Sequence, residues 1–353
     1  MSWKKLTILS LAVMGLASCD NTLRVTAPFE DIPVVYGALD IRQDTQYIRI
    51  GRAFLGQDGP AGGRDIGDSL YPSTLDVRLI PIKTDGSLAP ALQLVETFDI
   101  DKDPGVFTTD GHRVYRLVMP NHYFWDANED ATERQEWTYR LELRVGNELL
   151  ATAETPLVYD LRLKKPVAIG IQKMALTASK GYSIEWFQAD NARIYQGHID
   201  FHYMEMPFHS QKDSTRHVVR YELSDVTGST LSGNGATSKT TLNYSDFYSF
   251  LADEIPVKAG HWRWFRYCEL YLTAGSDDMA TYIRTTQPSN TILQDPPFFS
   301  NVEGGAGVLA SRTSIRRPYL GLSTSSVDSL VFGNLTCQLN FAKASNLDTL
   351  TCN

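Results

Sequence analysis

Apolar residues recur along most of this chain with a period of two, the spacing of a half-buried strand. In TLDVRLIPI (74–82), Leu75, Val77 and Leu79 alternate with Asp76, Arg78 and Ile80. VVYGALD (34–40) and TQYIRIGRAFL (45–55) carry β-branched and aromatic residues on either side of a short polar turn. HRVYRLVM (112–119), EWTYRLELRV (136–145) and ELLATAETPLV (148–158) continue the pattern. Connections rich in Gly, Asp and Pro, such as GQDGPAGGRDIGD (56–68) and DKDPG (101–105), separate the runs. Strands at this spacing predict an Ig-like β-sandwich over 33–160.

Paired lysines and a proline in YDLRLKKPVAIG (159–170) mark a boundary, with a second domain over 161–353. Its predicted strands are GYSIEWF (181–187), YQGHIDFHYMEM (195–206), RHVVRYELS (216–224) and HWRWFRYCELYLTA (261–274). Only SDFYSFLADEI (245–255) switches to a helical period, placing Phe247, Phe250 and Leu251 on one face. Ser245 is the expected cap, and Asp246 suits the positive end of the helix. The predicted fold class is mainly β: two β-sandwich-like domains with one short helix in the second.

The first residues break this pattern. MSWKKLTILSLAVMGLASC sets Lys4 and Lys5 before an apolar run from Leu6 to Ala17. That run falls short of the ~20 residues needed to cross a bilayer, so 1–18 reads as a secretory signal peptide. Its end, Leu16-Ala17-Ser18-Cys19, resembles the bacterial lipobox. The resemblance implies cleavage before Cys19, acylation of its thiol, and a lipidated tether over 19–32. Several acyl chains anchor firmly where one binds only reversibly.

Export reshapes the reading of composition. The 353 residues carry a formal charge of −8, and loss of Lys4 and Lys5 with no acid takes the mature chain to −10. Such a surface repels phosphate backbones, and no Lys/Arg cluster compensates, so nucleic acid is not an expected partner. The other cysteines are Cys268, Cys337 and Cys352, with no C-x-x-C pair. Cys337 and Cys352 are candidates for a disulfide closing a tail loop of about 15 residues, nominally worth ~3 kcal/mol. Cys268, inside an aromatic run, is expected as a buried free thiol.

Four stretches carry candidate chemistry. In DIDKDPGVFTTD (99–110), Asp99, Asp101, Asp103 and Asp110 stand at positions 1, 3, 5 and 12 of an EF-hand-like loop. Pro104 replaces the turn glycine, and a Pro-Gly turn between strands explains the same residues, so calcium and a plain turn both stay open. In HIDFHYM (198–204), His198, Asp200, His202 and Met204 share one face of a strand. Two histidines four residues apart on a strand lie ~13 Å apart and cannot grip one ion together. A polar outward face over inward Ile199, Phe201 and Tyr203 is the expectation. Trp262, Trp264, Tyr267 and Tyr271 are candidates to stack on sugars or peptides, but their strand has aromatics on both faces, so at least half are expected in the core. Asp277-Asp278 reads as a solvated turn, and beyond the signal segment no G-x-S-x-G, H-E-x-x-H or S-x-x-K motif occurs.

The fourth stretch is PFFSNVEGGAGVLASR (297–312). Gly305, Gly307 and Ala310 fit G-x-G-x-x-A, with Asp328 some twenty residues on. The following SRTSIRRPYLGLSTSS contains Pro318 and Gly321 and cannot supply the helix that would hold a pyrophosphate. No nucleotide is therefore expected. Gly304, Gly305 and Gly307 are predicted to allow backbone conformations or close packing that a Cβ would block.

Several of these segments together resemble a family of Bacteroidota outer-membrane lipoproteins of unknown function. They are the lipobox and short tether, VVYGALD…QYIRIGRAFLG, DPGVF before VYRL, and TQPSNTILQDPPFFSNVEGGAGVLASR, whose NVEGGAGVLASR run is the most specific part. The resemblance implies Ig-like β domains held at the outer membrane by lipid, and it brings no assigned reaction, cofactor or catalytic residue. It implies as partners the membrane, through the anchor, and an outer-membrane transporter or other envelope protein. The side of the membrane stays open, since only Asp20 follows Cys19 as an acid before Arg24. The expected function is a non-enzymatic binding or scaffold component. The alternatives are a surface glycan-binding partner of a nutrient transporter and, with less behind it, a hydrolase.

Overall fold

The computed structural model describes residues 32–53, 75–98, 100, 114–119, 123–124, 129–167, 170, 172–178, 180–208, 210, 213–286 and 298–343. Cys19, Cys352 and the Asp99–Asp110 loop, apart from Ile100, lie outside them. The fold is mainly β. Its first half supplies β1 (Pro33–Asp40), β2 (Thr45–Arg52), β3 (Asp76–Ile82), β4 (Leu92–Gln93), β5 (Val95–Thr97) and β6 (Val114–Val118). Then come α1 (Glu129–Gln135), β7 (Thr138–Val145), β8 (Glu148–Pro156), β9 (Arg162–Lys165), β10 (Lys173–Met174) and β11 (Tyr182–Phe187). The remainder is β12 (Ala192–Pro207), β13 (Thr215–Glu222), β14 (Val226–Thr227), β15 (Thr237–Leu242), α2 (Tyr244–Glu254), β16 (His261–Ser276), α3 (Asp277–Thr286), β17 (Val302–Glu303), β18 (Ala306–Leu322) and α4 (Thr324–Phe332).

Period-two patterning builds two cores. In β3, Val77 and Leu79 are buried while Arg78 is exposed, as alternation requires. The sheet β17-β8-β7-β3-β4 thereby lays Leu141, Leu143 and Ala153 against Val35, Leu39, Ile48 and Ile50 from β1 and β2. A second core forms where β15-β11-β9 and the helices α2 and α4 cover β12, β16 and β18, joining Trp186, Phe201, Phe247, Leu270 and Leu330. The larger sheet runs through both, in the order β13-β12-β16-β18-β1-β2-β6-β5.

One strand ties the cores together. β18 starts parallel to β1, with Val34 opposite Ala306 and Asp40 opposite Arg312. It ends antiparallel to β16, from Gly275 opposite Arg312 to Cys268 opposite Leu320. At the crossing, buried Ser311 donates its hydroxyl to the Pro156 carbonyl at 2.6 Å and accepts from the Val158 N–H at 3.1 Å. Arg312 reaches the Asp40 carboxylate at 3.2 Å.

The glycine-rich segment sits at the start of this strand, and its glycines are packing sites, as predicted. Gly304 and Gly307 have φ of +74° and +104°. A Cβ on Gly304 would stand 2.5 Å from the Leu150 carbonyl oxygen, on Gly305 2.7 Å from that of Pro33, and on Gly307 2.0 Å from that of Val35. Asn301 completes the turn by standing in for a strand: its side-chain N–H donates to the Leu309 carbonyl at 2.7 Å and its oxygen accepts the Leu309 N–H at 2.9 Å. Asn301→Ala orphans both groups and is expected to cost about 2 kcal/mol. Asn301→Asp keeps the acceptor but turns a carboxylate towards the Leu309 carbonyl and Asp278, and is expected to cost more. Denaturant midpoints of the two variants check this order.

Two local expectations are corrected. The helix expected over 245–255 spans Tyr244–Glu254, but Asn243 rather than Ser245 is its N-cap, and Ser245 donates instead to Asp246. Asp277-Asp278 is not a solvated turn. The two acids open α3, where carboxylates favour the positive helix end, and Asp277 pairs with Arg193 at 2.9 Å. With α1 and α4, this makes four α-helices among the described residues where one was expected.

Candidate functional site

The outer face of β13-β12-β16-β18 concentrates the chain's candidate chemistry. Ile199, Phe201 and Tyr203 are buried, so His198, Asp200, His202 and Met204 face outward, as predicted. Across the ladder from β12 stand Tyr271 opposite His198, Glu269 opposite Asp200, and Tyr267 opposite His202. Each histidine stacks on its tyrosine, His198 on Tyr271 at 4.7 Å and His202 on Tyr267 at 4.5 Å.

A β-bulge decides where the tryptophans go. Tyr267 pairs with His202 and Phe265 with Tyr203, so Arg266 is an extra residue that inverts the alternation of β16. Upstream of it, Arg263 and Phe265 turn inward, while Trp264 and Trp262 lie opposite Met204 and Met206 on the outer face. The expectation that at least half of Trp262, Trp264, Tyr267 and Tyr271 lie in the core is therefore wrong: all four are half-buried, on the side of the histidines. Trp262 packs on Phe208, which is 41% exposed, at 4.4 Å.

Two carboxylates lie side by side beneath these rings, Asp200 at 7% exposure and Glu269 at 4%. Charges this buried require partners. Arg220 donates to both Asp200 oxygens at 2.9 and 3.2 Å, and Arg316 to both Glu269 oxygens at 2.7 and 3.3 Å. Tyr271 adds a third donor to Glu269 at 3.0 Å. Burial alone would raise the Asp200 pKa, but the Arg220 hydrogen bonds and charge outweigh it and hold the carboxyl below its ordinary value. Burial and the nearby Arg220 charge lower His198, so its ring is neutral near pH 7. Its Nε2 stands 3.9 Å from Asp200, beyond hydrogen-bond range. Among the described residues no three His, Cys, Asp or Glu side chains come close enough to share a metal ion.

Near Arg266 the face hollows into a groove of about 270 Å³, lined by His202, Met204, Arg216, Arg266, Tyr267 and Tyr319 among others. A recess of the same volume near Tyr159 has the opposite character, lined by Asp160 and Asp190 as well as Arg42. Burial and then the Asp160 charge raise the Asp190 carboxyl there.

The cysteines divide. Cys268 is a buried free thiol whose pKa is pushed up by burial, which leaves it inert. Cys337 is buried and disulfide-bonded. Since Cys352 lies outside the described residues, its pairing with Cys337 stays an expectation.

No family model matches the chain, and no curated protein does. Among solved structures, it is similar to the C-terminal globular domain of an oligosaccharyltransferase from Pyrococcus abyssi, at 12% identity and a TM-score of 0.22, over 64% of this chain and 40% of that one. It is also similar to E. coli alpha-2-macroglobulin in its native conformation, at 10% identity and a TM-score of 0.19, over 71% of this chain and 13% of that one. The chain thus spans less than half the length of either, and likeness at these scores says nothing about the site.

Proposed function

We propose that this chain is a non-enzymatic, lipid-anchored component of the cell outer membrane that binds a partner through the outer face of β13-β12-β16-β18. The observation that carries this reading is the gathering of Trp262, Trp264, Tyr267 and Tyr271 on one face over carboxylates already saturated by arginine. An aromatic surface rimmed by charge is suited to recognition. Asp200, whose carboxyl Arg220 holds below its ordinary value, is poorly suited to proton transfer near neutral pH. The anchor rests on the lipobox resemblance at Cys19.

The reading is tested by affinity recovery of the full acylated chain from detergent-solubilised envelope. A stoichiometric membrane partner, such as a transporter, is the expected result, and recovery of the chain alone would count against it. Cys19→Ala is expected to move the chain out of the membrane fraction.

A second reading, a surface glycan-binding partner of a nutrient transporter, is favoured by the same aromatic residues. Rings displayed side by side present stacking faces to sugar C–H groups. Retention of the full chain on glycan gels, lost in Trp262→Ala/Trp264→Ala, is expected, and indifference to a broad glycan panel would dismiss it.

A further inference from the structure

We propose that the groove between Arg216, Arg266 and Tyr319 is the recognition subsite for an acidic sugar, a carbohydrate residue bearing a carboxylate or sulfate; this deepens the glycan-binding reading and rests on it. Its walls are built by two separate departures from regular strand geometry. Arg266 is the extra residue of the β16 bulge. On the neighbouring strand, Arg317 pairs with Leu270 and Leu320 with Cys268, so Pro318 and Tyr319 form a second bulge. Bulges re-aim side chains, and here both aim into one groove.

Tyr319 carries the stronger mark. Its φ is +56°, a left-handed conformation that costs a non-glycine residue stability, and its ring is 68% exposed. The ring stands edge-on to Tyr267 at 4.9 Å, and Tyr267 in turn stacks on His202. The result is an aromatic corner, not a lone exposed residue. His202 also lines the groove, and its buried Nε2 has no hydrogen-bond partner and stands 3.8 Å from the Glu269 carboxylate.

The charge in the groove is also unspent. Arg220 and Arg316, elsewhere on the face, are tied to carboxylates. Arg216 and Arg266 line the groove, and among the described residues neither has an ion-pair partner. Two free guanidiniums facing one hollow, on a chain of formal charge −8, select an anion against the protein's overall field. Guanidinium forks bind carboxylate and sulfate oxygens in pairs, and tyrosine rings cover the apolar face of a sugar ring. The volume suits one or two sugar units, below the ~300–1,000 Å³ typical of larger ligands.

The test is binding of the full acylated chain in detergent to oligogalacturonate and to a sulfated heparin tetrasaccharide, with maltotetraose and polyglutamate of matched length as the neutral and the non-sugar anion. At least one acidic glycan is expected to bind better than both controls. Arg216→Ala/Arg266→Ala is expected to weaken it at least tenfold, and Tyr319→Ala to weaken it several-fold. All three side chains are exposed, so an unchanged melting temperature verifies folding. Arg216→Lys/Arg266→Lys, which keeps the charge and loses the fork, is expected to recover part of the affinity. Binding to polyglutamate as strong as to the glycans would overturn the proposal in favour of an acidic polypeptide. Neutral-glycan binding unaffected by the arginine variants would overturn it while leaving the glycan reading intact. Loss of all glycan binding would overturn both, with partner capture from the envelope still standing on its own.

Discussion

Gly307→Ala is expected to unfold the junction between the two cores. The new methyl would stand 2.0 Å from the Val35 carbonyl oxygen and 2.9 Å from its carbon, far inside contact distance. Neither side can retreat. Gly307 and Val35 are register partners in the parallel β1–β18 pairing, so separating them breaks the ladder that joins the first strand to the last long one. The backbone also resists, because φ of +104° is a region that alanine rarely adopts. Overpacking and backbone strain together place the loss at about 4 kcal/mol or more, the size reserved for a named structural failure. Gly86→Ala is the matched control: its φ is +83°, but nothing lies within 4 Å of the new methyl. It is expected to cost about 1 kcal/mol. Thermal melts of the two variants separate strain from collision, and equal shifts would refute the packing role of Gly307.

The second large effect is expected from Arg263, a guanidinium at 1% exposure on the inward side of β16. It donates to Glu205 at 2.9 Å, to the Leu339 carbonyl at 2.8 Å and to the Pro256 carbonyl at 2.7 Å, while Lys258 holds the other Glu205 oxygen at 2.6 Å. Arg263→Ala leaves a buried carboxylate half-neutralised and orphans two carbonyls, at an expected cost of about 3–5 kcal/mol. Arg263→Met/Glu205→Gln is expected to be milder than Arg263→Ala, since no charge remains stranded.

The same site dictates a pH response. Burial would raise Glu205, but Lys258 and Arg263 outweigh it and bring the carboxyl below its ordinary 4.5. A carboxyl depressed in the folded state stabilises above its unfolded pKa, and that contribution is lost as pH falls through the folded value. Asp200 has the same sign. Melting temperature is therefore expected to hold between pH 7 and about 5 and to fall below that. In Arg263→Ala the part of the fall due to Glu205 is smaller, because Lys258 alone depresses the carboxyl less, while the pH at which it begins is set by the unfolded chain.

What could be read in the sequence follows from how local each signal is. Alternation is local, and runs such as TQYIRIGRAFL and HWRWFRYCELYLTA place β2 and β16 within a few residues of their ends. The glycine reading also survives, because Pro318 and Gly321 exclude a following nucleotide-binding helix and β18 occupies that stretch. The extent of β18 was not legible: its glycines and proline punctuate the pattern, and its pairing with β1 joins residues some 270 positions apart. α3 was hidden for another reason, since adjacent Asp277 and Asp278 signal a turn and a helix start equally well. The face of Trp262 and Trp264 could not be known without the bulge at Arg266, because a single inserted residue reverses every side chain upstream of it. Arg216 and Tyr319 gave no signal of their own. They come together only when β13 and β18 flank the central pair β12-β16.

That the working surface is the outer face of this sheet, and not the glycine-rich turn, is tested most directly by capture with Trp262→Ala/Trp264→Ala. Both rings lie outside the cores, so the double variant is expected to fold with a melting temperature close to that of the parent chain. Recovered from solubilised envelope, the parent is expected to bring its partner or glycan in stoichiometric amount, and the double variant to bring at least tenfold less. Equal capture by both would contradict the account.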